Sequence, residues 1–335
     1  MPVFRTGCQF KLGQRSAIEI IEREQKDPML NLMGKRYWFF ALSLLIIIPG
    51  IIIMAVWKLP VSIDFKGGSL LEVQIASGKL PEPASVYQLF QSLGITNTQV
   101  LTSGTDILIM RSEVVSEDNQ AKILAELGKM TGGAVVVRRA DTVGPTISQQ
   151  VTQNGFLAVI ASSLALVIFI TFSFRKVQGG FVYGICTVLA LLHDILVIFS
   201  IVALGGRLWG WQVDTLFLTA LLTVIAFSAQ DTIVVFDRIR ENSSIFRRLD
   251  FEQLVNHSVV QSMTRSINTQ LMTVDFMLLA LALFGGVTLR EFAIVLLIGM
   301  ISGSYSSIFV AAPLVIIWQT GEWRNWFRPR ATSAA

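Results

Sequence analysis

Charge is the scarce quantity in this 335-residue chain. Asp, Glu, Lys and Arg make up 15% of it, where a soluble domain carries roughly 25%. That shortage excludes an ordinary water-facing surface over most of the chain. With 53% apolar residues and a mean hydropathy of +0.61, it points to lipid contact. Cysteine is nearly absent. Cys8 lies in a polar amino-terminal stretch and Cys186 in an apolar run, so neither a disulfide framework nor a metal site has support. The first 30 residues hold Lys11, Arg15, Arg23 and Lys26 but no apolar h-region. This excludes a cleaved signal peptide there and predicts a cytoplasmic tail over 1–35. Catalytic triads, metal clusters and phosphate loops are missing too, which argues against an enzyme and leaves no cofactor to expect. The net charge of +4 implies no nucleic-acid partner, because the basic residues sit beside apolar runs.

Long apolar runs are what the chain has. A helix needs roughly 20 residues to cross about 30 Å of hydrocarbon, and residues 37–57, 155–174, 181–204, 213–236 and 292–318 meet this unaided. A sixth run, 271–284, reaches only 14 residues; extended back to Arg265 it becomes long enough. Six membrane helices are therefore expected: one over 36–58 and five within 151–318. Lys35, Arg36, Arg175, Lys176, Arg238, Arg240, Arg247, Arg248, Arg265, Arg324, Arg328 and Arg330 fall in loops or tails on one side, against Arg207 and Arg290 on the other. By the positive-inside rule both termini, including a tail over 319–335, are cytoplasmic, and residues 59–150 lie outside.

That outer segment alone is long enough to fold in water. Its pattern predicts strand 68–75, helix 83–93, strands 98–101 and 106–111, helix 117–129 and strand 134–140. The β-α-β-β-α-β order is the ferredoxin-like arrangement. Gly67-Gly68 and Gly132-Gly133 read as turns, and no His or Cys occurs in the segment, so a binding or coupling module is expected there.

Ionisable residues inside membrane helices are costly enough to suggest function. His193 and Asp194 sit together in the third span, and Gln230 and Asp231 interrupt the fourth. Thr219, Thr223 and Gln230 share one helical face, with Asp231 about 100° away from it. In the fifth span Arg265, Asn268, Met272 and Asp275 form one stripe, expected to face the bundle interior. One reading is a proton relay, with Asp231 titrating beside Arg265 and with Gln230 supporting it. The other is a static Asp231–Arg265 pair, or two groups in headgroup water. His193, Asp194, Asn268 and Asp275 fit a secondary relay or a structural role equally. Gly299, Gly303 and Ser307, widened by Ser302 and Ser306, make a small-residue seam for close helix packing, within the chain or with a partner. Residues 237–256 mix arginines with Ile239, Ile245, Phe246, Leu249 and Phe251, and read as an amphipathic helix on anionic lipid of the cytoplasmic surface.

Several segments carry a resemblance. Residues 228–242, Ser-Ala-Gln-Asp-Thr-Ile-Val-Val-Phe-Asp-Arg-Ile-Arg-Glu-Asn, are similar to the span-four signature of the SecF family. SecF is the smaller partner of SecD in the bacterial protein-export accessory complex, related to resistance-nodulation-division pumps. Asp64-Phe65-Lys66-Gly67-Gly68, Val143-Gly144-Pro145-Thr146-Ile147, His193-Asp194, Arg265-Ser266-Ile267-Asn268-Thr269 and Phe284-Gly285-Gly286 follow in the family's order. The resemblance implies a SecD-type partner, a twelve-helix bundle in the inner membrane, association with the SecY-SecE-SecG channel, and use of the proton gradient to draw preproteins outward. It assigns the titrating carboxylate to Asp231 and its basic partner to Arg265, with protons as coupling ion and sodium also compatible. Gln230 departs from the usual asparagine, Val274-Asp275 from small or hydroxyl residues, and the tail before span one is longer than typical. A structural subunit without ion movement, or half of a small-molecule efflux pump, are the rival readings.

Overall fold

Backbone polar groups in lipid must be satisfied within the segment, and among the described residues five helices are long and apolar enough to cross a membrane. The computed structural model describes residues 30–324 except 77–79, 104, 176–178, 271, 273–274 and 286. Cys8, the basic residues of the first 29 positions, Lys176, Val274, Gly286, Arg328 and Arg330 lie outside the described residues. The membrane helices are α1 (Arg36–Trp57), α5 (Pro145–Ser173), α6 (Gly180–Leu208), α7 (Thr215–Ile245) and the pair α10 (Val287–Ser306) and α11 (Ala312–Thr320). A π-helical turn, Ser307–Ala311, joins α10 to α11. Pro313 has no N–H to offer the carbonyl four residues earlier, which is where such a turn is expected.

Burial ranks these helices. Only 17% of the apolar window of the first span and 11% of that in α5 are covered, against 50% in α6, 44% in α7 and 61% in the last span. The centre is therefore α6, α7 and α10–α11, while α1 and α5 leave most side chains uncovered by the rest of this chain. Phe174 stacks on Tyr183 at 5.4 Å between ring centroids, and Phe236 meets Tyr183 edge-on at 5.0 Å; aromatic pairs in these geometries add to simple burial. A second apolar cluster with Leu191, Ile198, Phe217, Val224 and Leu296 fills the other half of the bundle.

Between α1 and α5 the chain leaves the bundle. A one-turn helix α2 (Ile63–Lys66) leads into β1 (Gly68–Ile75), followed by α3 (Pro83–Ser92), β2 (Gln99–Ser103), β3 (Ile107–Ser112), α4 (Glu117–Thr131) and β4 (Val135–Val143). The sheet is antiparallel in order β2-β3-β1-β4. Leu71, Val73 and Ile75 alternate with half-buried neighbours along β1, the first two packing with Val86, Phe90, Ile123 and Leu127 of α3 and α4 into a separate core. Ser116 caps α4 through the Asn119 N–H, and Gly132 ends it in the left-handed region, the start and stop chemistry helices favour. β4 is an edge strand with five successive exposed residues, 136–140.

Two expectations change. Residues 237–256 are not one surface helix: α7 runs on to Ile245, and α8 (Phe251–Gln270) starts after a short turn. Ile239 is buried in the bundle core, and Phe246, Leu249 and Phe251 pack against it, so most of the supposed lipid-facing set packs inward. Nor is 265–284 one uninterrupted helix. α8 ends at Gln270 and α9 (Phe276–Phe284) follows, with Met272 and Asp275 in wider turns between them. The predicted stripe does not face one way: Arg265 and Asn268 are exposed, Met272 is 71% exposed, and Asp275 is only 7% exposed.

One close approach has a direct consequence. A Cβ added to Gly50 of α1 would lie 1.9 Å from Ser200 Oγ and 2.8 Å from the Ser200 backbone on α6. Gly50→Leu is expected to cost at least about 1–3 kcal/mol by overpacking, seen as a lower unfolding temperature in detergent. An unchanged temperature would mean that α1 does not rest on α6 at this point.

Candidate functional site

Three central helices meet around two carboxylates. Asp194, on α6, is 1% exposed. Its Oδ2 accepts from the hydroxyls of Ser228 (2.6 Å) and Ser306 (2.7 Å), and its Oδ1 from Ser302 (2.7 Å). The His193 ring faces Oδ1 with Nδ1 at 3.1 Å. Ser228 belongs to α7, and Ser302 and Ser306 to α10, one turn apart on one face. A buried carboxylate costs heavily unless its lone pairs are met; here three hydroxyl donors meet them and tie α6, α7 and α10 together. His193 Nε2 is buried and has no hydrogen-bond partner among the described residues, and its ring stacks on Tyr305 at 6.0 Å.

Asp231 lies three residues beyond Ser228 on α7. Its Oδ2 accepts from Ser307 Oγ at 2.8 Å, so adjacent serines of one helix, 306 and 307, each serve a different acid. Ser266 of α8 faces the same carboxylate, although its hydroxyl is buried without a hydrogen bond of good geometry. Ser307 opens the π-helical turn, a feature that concentrates at functional sites. Asp231 is half-buried and makes no ion pair among the described residues.

The sequence-predicted residues therefore divide. Asp231 and Ser307 come together, and His193 and Asp194 form a neighbouring cluster. Gly299 and Gly303 give their seam to α7: a Cβ on Gly299 would meet Val224 at 2.4 Å, and one on Gly303 would meet Ser228 at 2.9 Å. Ser307 is thus both a seam residue and a donor. Gln230, Arg265 and Asn268 are exposed on this chain, so no Asp231–Arg265 pair forms within it. The static intrachain pair is not what the structure contains. Asp275 is buried apart from this group, and its Oδ1 lacks a hydrogen-bond partner among the described residues. Sequence reading missed Ser228 and Ser266 as polar neighbours of the acids. The repeated serines at 302 and 306 were legible only as small packing residues, because their donor role depends on three helices meeting.

At the outer end of α7 the geometry is equally specific. Asp214 caps the helix through the Phe217 N–H at 2.7 Å. Burial pushes the Asp214 carboxyl above the usual range, against that hydrogen bond. Asp64 of α2 accepts from both the Thr215 N–H (3.0 Å) and the Thr215 hydroxyl (3.1 Å). Arg111 on β3 lies near Asp214 and Glu291, and burial lowers its guanidinium despite their attraction.

The comparisons with known proteins agree on one family. The family model described as protein export membrane protein SecD/SecF, C-terminal, matches residues 123–321. The chain is 59% identical over 307 residues to the protein translocase subunit SecF of Anaerolinea thermophila, covering 92% of this chain and 100% of that relative. It is 34% identical to the protein translocase subunit SecDF of Bacillus subtilis, where 86% of this chain matches only 38% of that longer protein. Among solved structures it resembles SecDF of Thermus thermophilus, titled a translocon-associated membrane protein. That likeness has a TM-score of 0.76 at 28% identity and covers 88% of this chain and 39% of that one. A multi-pass membrane protein with an extracytoplasmic β-sheet domain, matched over most of its length by such relatives, belongs to the SecD/SecF protein-export family, on its SecF side.

Proposed function

We propose that this chain, as a SecF-type accessory subunit of the Sec translocase, works with a SecD-type partner to convert proton flow into late movement of preproteins across the membrane. The observation that carries this reading is a polar face at membrane depth that the chain itself leaves open. Thr219, Gln230, Arg265 and Asn268 are all exposed, with half-buried Asp231 beside them. Lipid contact for an arginine and amides is expensive, so a second helical half covering them is the cheaper state. The longer SecDF relatives, of which this chain matches 38–39%, support such a half. Asp231 is then the titrating carboxylate, and Arg265 meets it, or the partner's acids, only in the assembled complex. Changing water access in the seam shifts the balance between desolvation and the nearby cation, and the carboxylate gains or loses its proton.

The finer architecture follows the same reading. The broken segment containing α9 serves as a sixth crossing, which leaves both termini in the cytoplasm. The sheet order with both helices on one face supports a ferredoxin-like domain. Arg238, Arg240, Arg247 and Arg248 lie at the cytoplasmic surface near anionic lipid, and the SecY-SecE-SecG channel and the emerging preprotein are the functional partners. The chain resides in the inner membrane.

The test is preprotein translocation into vesicles holding this chain and its SecD-type partner, under an imposed proton or sodium gradient. Asp231→Asn and Arg265→Met are expected to lose the gradient-dependent part, by about tenfold or more, while the complex still assembles. A full gradient response in both variants would sink the relay and leave the chain a scaffold; a response to sodium alone would reassign the coupling ion.

A further inference from the structure

The proposed titrating residue and the extracytoplasmic sheet are joined by a compact set of contacts that the relay itself does not require. Asp231 lies 16 residues beyond Thr215 on a helix without a break, about 24 Å along its axis at 1.5 Å per residue. At the far end of that helix, Pro60 and Ser62 pair with Val213 through backbone hydrogen bonds of 2.7 and 2.9 Å, a two-strand parallel bridge. The Asp64 carboxylate then receives the two Thr215 donors, and the Ser62 hydroxyl holds the Asp64 N–H at 3.2 Å. An anionic cap also suits the positive end of the helix dipole.

Four residues later the same segment becomes β1, the strand hydrogen-bonded on both sides by β3 and β4. The hand-over is tight. Gly68 has φ +133, and a Cβ there would lie 2.4 Å from the Ser112 carbonyl oxygen of β3. Independent contacts support the link on the sheet side. Leu101 of β2 reaches Gly210, in the turn before α7, at 3.3 Å from the position of an added Cβ. Arg111 of β3 sits in the field of Asp214 and Glu291. The Thr152 hydroxyl of α5 also approaches the Phe65 carbonyl at 3.3 Å, so α2 touches the start of a second membrane helix.

We propose that Asp64 is a positioning residue for coupling: its double bond to Thr215 ties the extracytoplasmic sheet to the helix carrying Asp231, so that a displacement of that helix is delivered to the sheet. This rests on the relay reading of Asp231. A rigid helix transmits a shift along its length, and packed contacts switch between discrete arrangements rather than stretch. Without the Asp64 bonds α7 still moves, but the linker slips and the sheet is left behind. Proton passage then continues while preprotein movement fails.

The experiment uses the intact chain with its SecD-type partner in vesicles, and reads two quantities: proton uptake by a pH-sensitive dye, and gradient-stimulated translocation of a preprotein. Asp64→Ala is expected to keep proton uptake and to lose translocation per proton by about fivefold, the shift that loss of one net hydrogen bond produces. Asp64→Asn keeps an acceptor oxygen for the Thr215 N–H and is expected to retain most of the coupling. Thr215→Val, which removes only the hydroxyl donor, falls between. An unchanged ratio in Asp64→Ala overturns the proposal, as does a parallel fall of both quantities in Asp64→Ala and Asp64→Asn, which marks a purely structural residue. If the unaltered chain takes up protons no faster than Asp231→Asn, the relay reading fails instead, and that result is visible without any Asp64 variant.

Discussion

Asp194→Ala is expected to destabilise the bundle by roughly 3–5 kcal/mol, because it removes three buried hydrogen bonds and strands their donors in the core. Ser228 and Ser302 have no second acceptor among the described bonds, whereas Ser306 falls back on the Gly303 carbonyl at 3.1 Å. The three hydroxyls come from two helices and the carboxylate from a third, so the loss loosens all of their mutual contacts. Thermal unfolding of the purified complex in detergent measures it. A midpoint within about a degree or two of the unaltered protein, against the several degrees such a loss normally produces, would remove Asp194 as the brace. Asp194→Asn separates bracing from proton handling. It keeps one acceptor and the side-chain shape, so a fixed brace predicts reduced stability with the gradient response intact, whereas a second relay member predicts the reverse.

The next largest effect is expected at the opposite end of the bundle from the sheet. Arg36 is 8% exposed and holds two acids at once. Nη1 pairs with Glu252 Oε2 at 3.0 Å, and Nη2 with Glu322 Oε1 at 2.6 Å, while Nη1 also donates to the Met33 carbonyl. Beside it the Leu32 and Met33 N–H groups share the Asn256 side-chain oxygen. One guanidinium thus fastens the entry to α1, the start of α8 and the chain after α11. Arg36→Ala is expected to cost roughly 2–3 kcal/mol, below the full loss for a buried pair because both acids are partly exposed and rehydrate. Arg36→Lys recovers only part, since a single ammonium cannot serve both carboxylates in fork geometry. Faster proteolysis near Glu322 in the alanine variant, without change in the sheet domain, is the expected readout. Equal cleavage rates would show that the clamp carries little of the local stability.

Much of this architecture could be read from residue pattern because it depends on local physics. Five apolar runs became five helices, since twenty apolar residues have few other stable states in lipid. The alternation of Leu71, Val73 and Ile75 gave the correct inward face of β1, and the Pro83 and Gly94 signals bounded α3 to within a residue or two. What escaped reading depends on chain parts far apart. The fifth-span stripe assumed constant helical phase, and the wide turns around Met272 and Asp275 broke that assumption. Arg265 looked like the companion of Asp231 because both are costly charges at similar depth, yet Arg265 is exposed and no ion pair joins the two among the described residues. The donors around Asp194 are serines whose spacing also fits plain packing, and only the crossing of α6, α7 and α10 distinguishes the two. Residues 63–66 carry too little pattern to announce a helix, but they hold the Asp64 cap.

The open edge of β4 has a consequence for how the outer domain resists unwanted pairing. A free strand edge is a template for any extended chain that reaches it. Along β4, Arg138 and Arg139 place two like charges side by side, with Arg138 held by Gln74 and Arg139 paired to Asp141. Opposite them the pairing with β1 slips between Glu72 and Val73, a bulge that twists an edge out of register. Charge and twist together make this strand a poor template for the addition of a fifth strand.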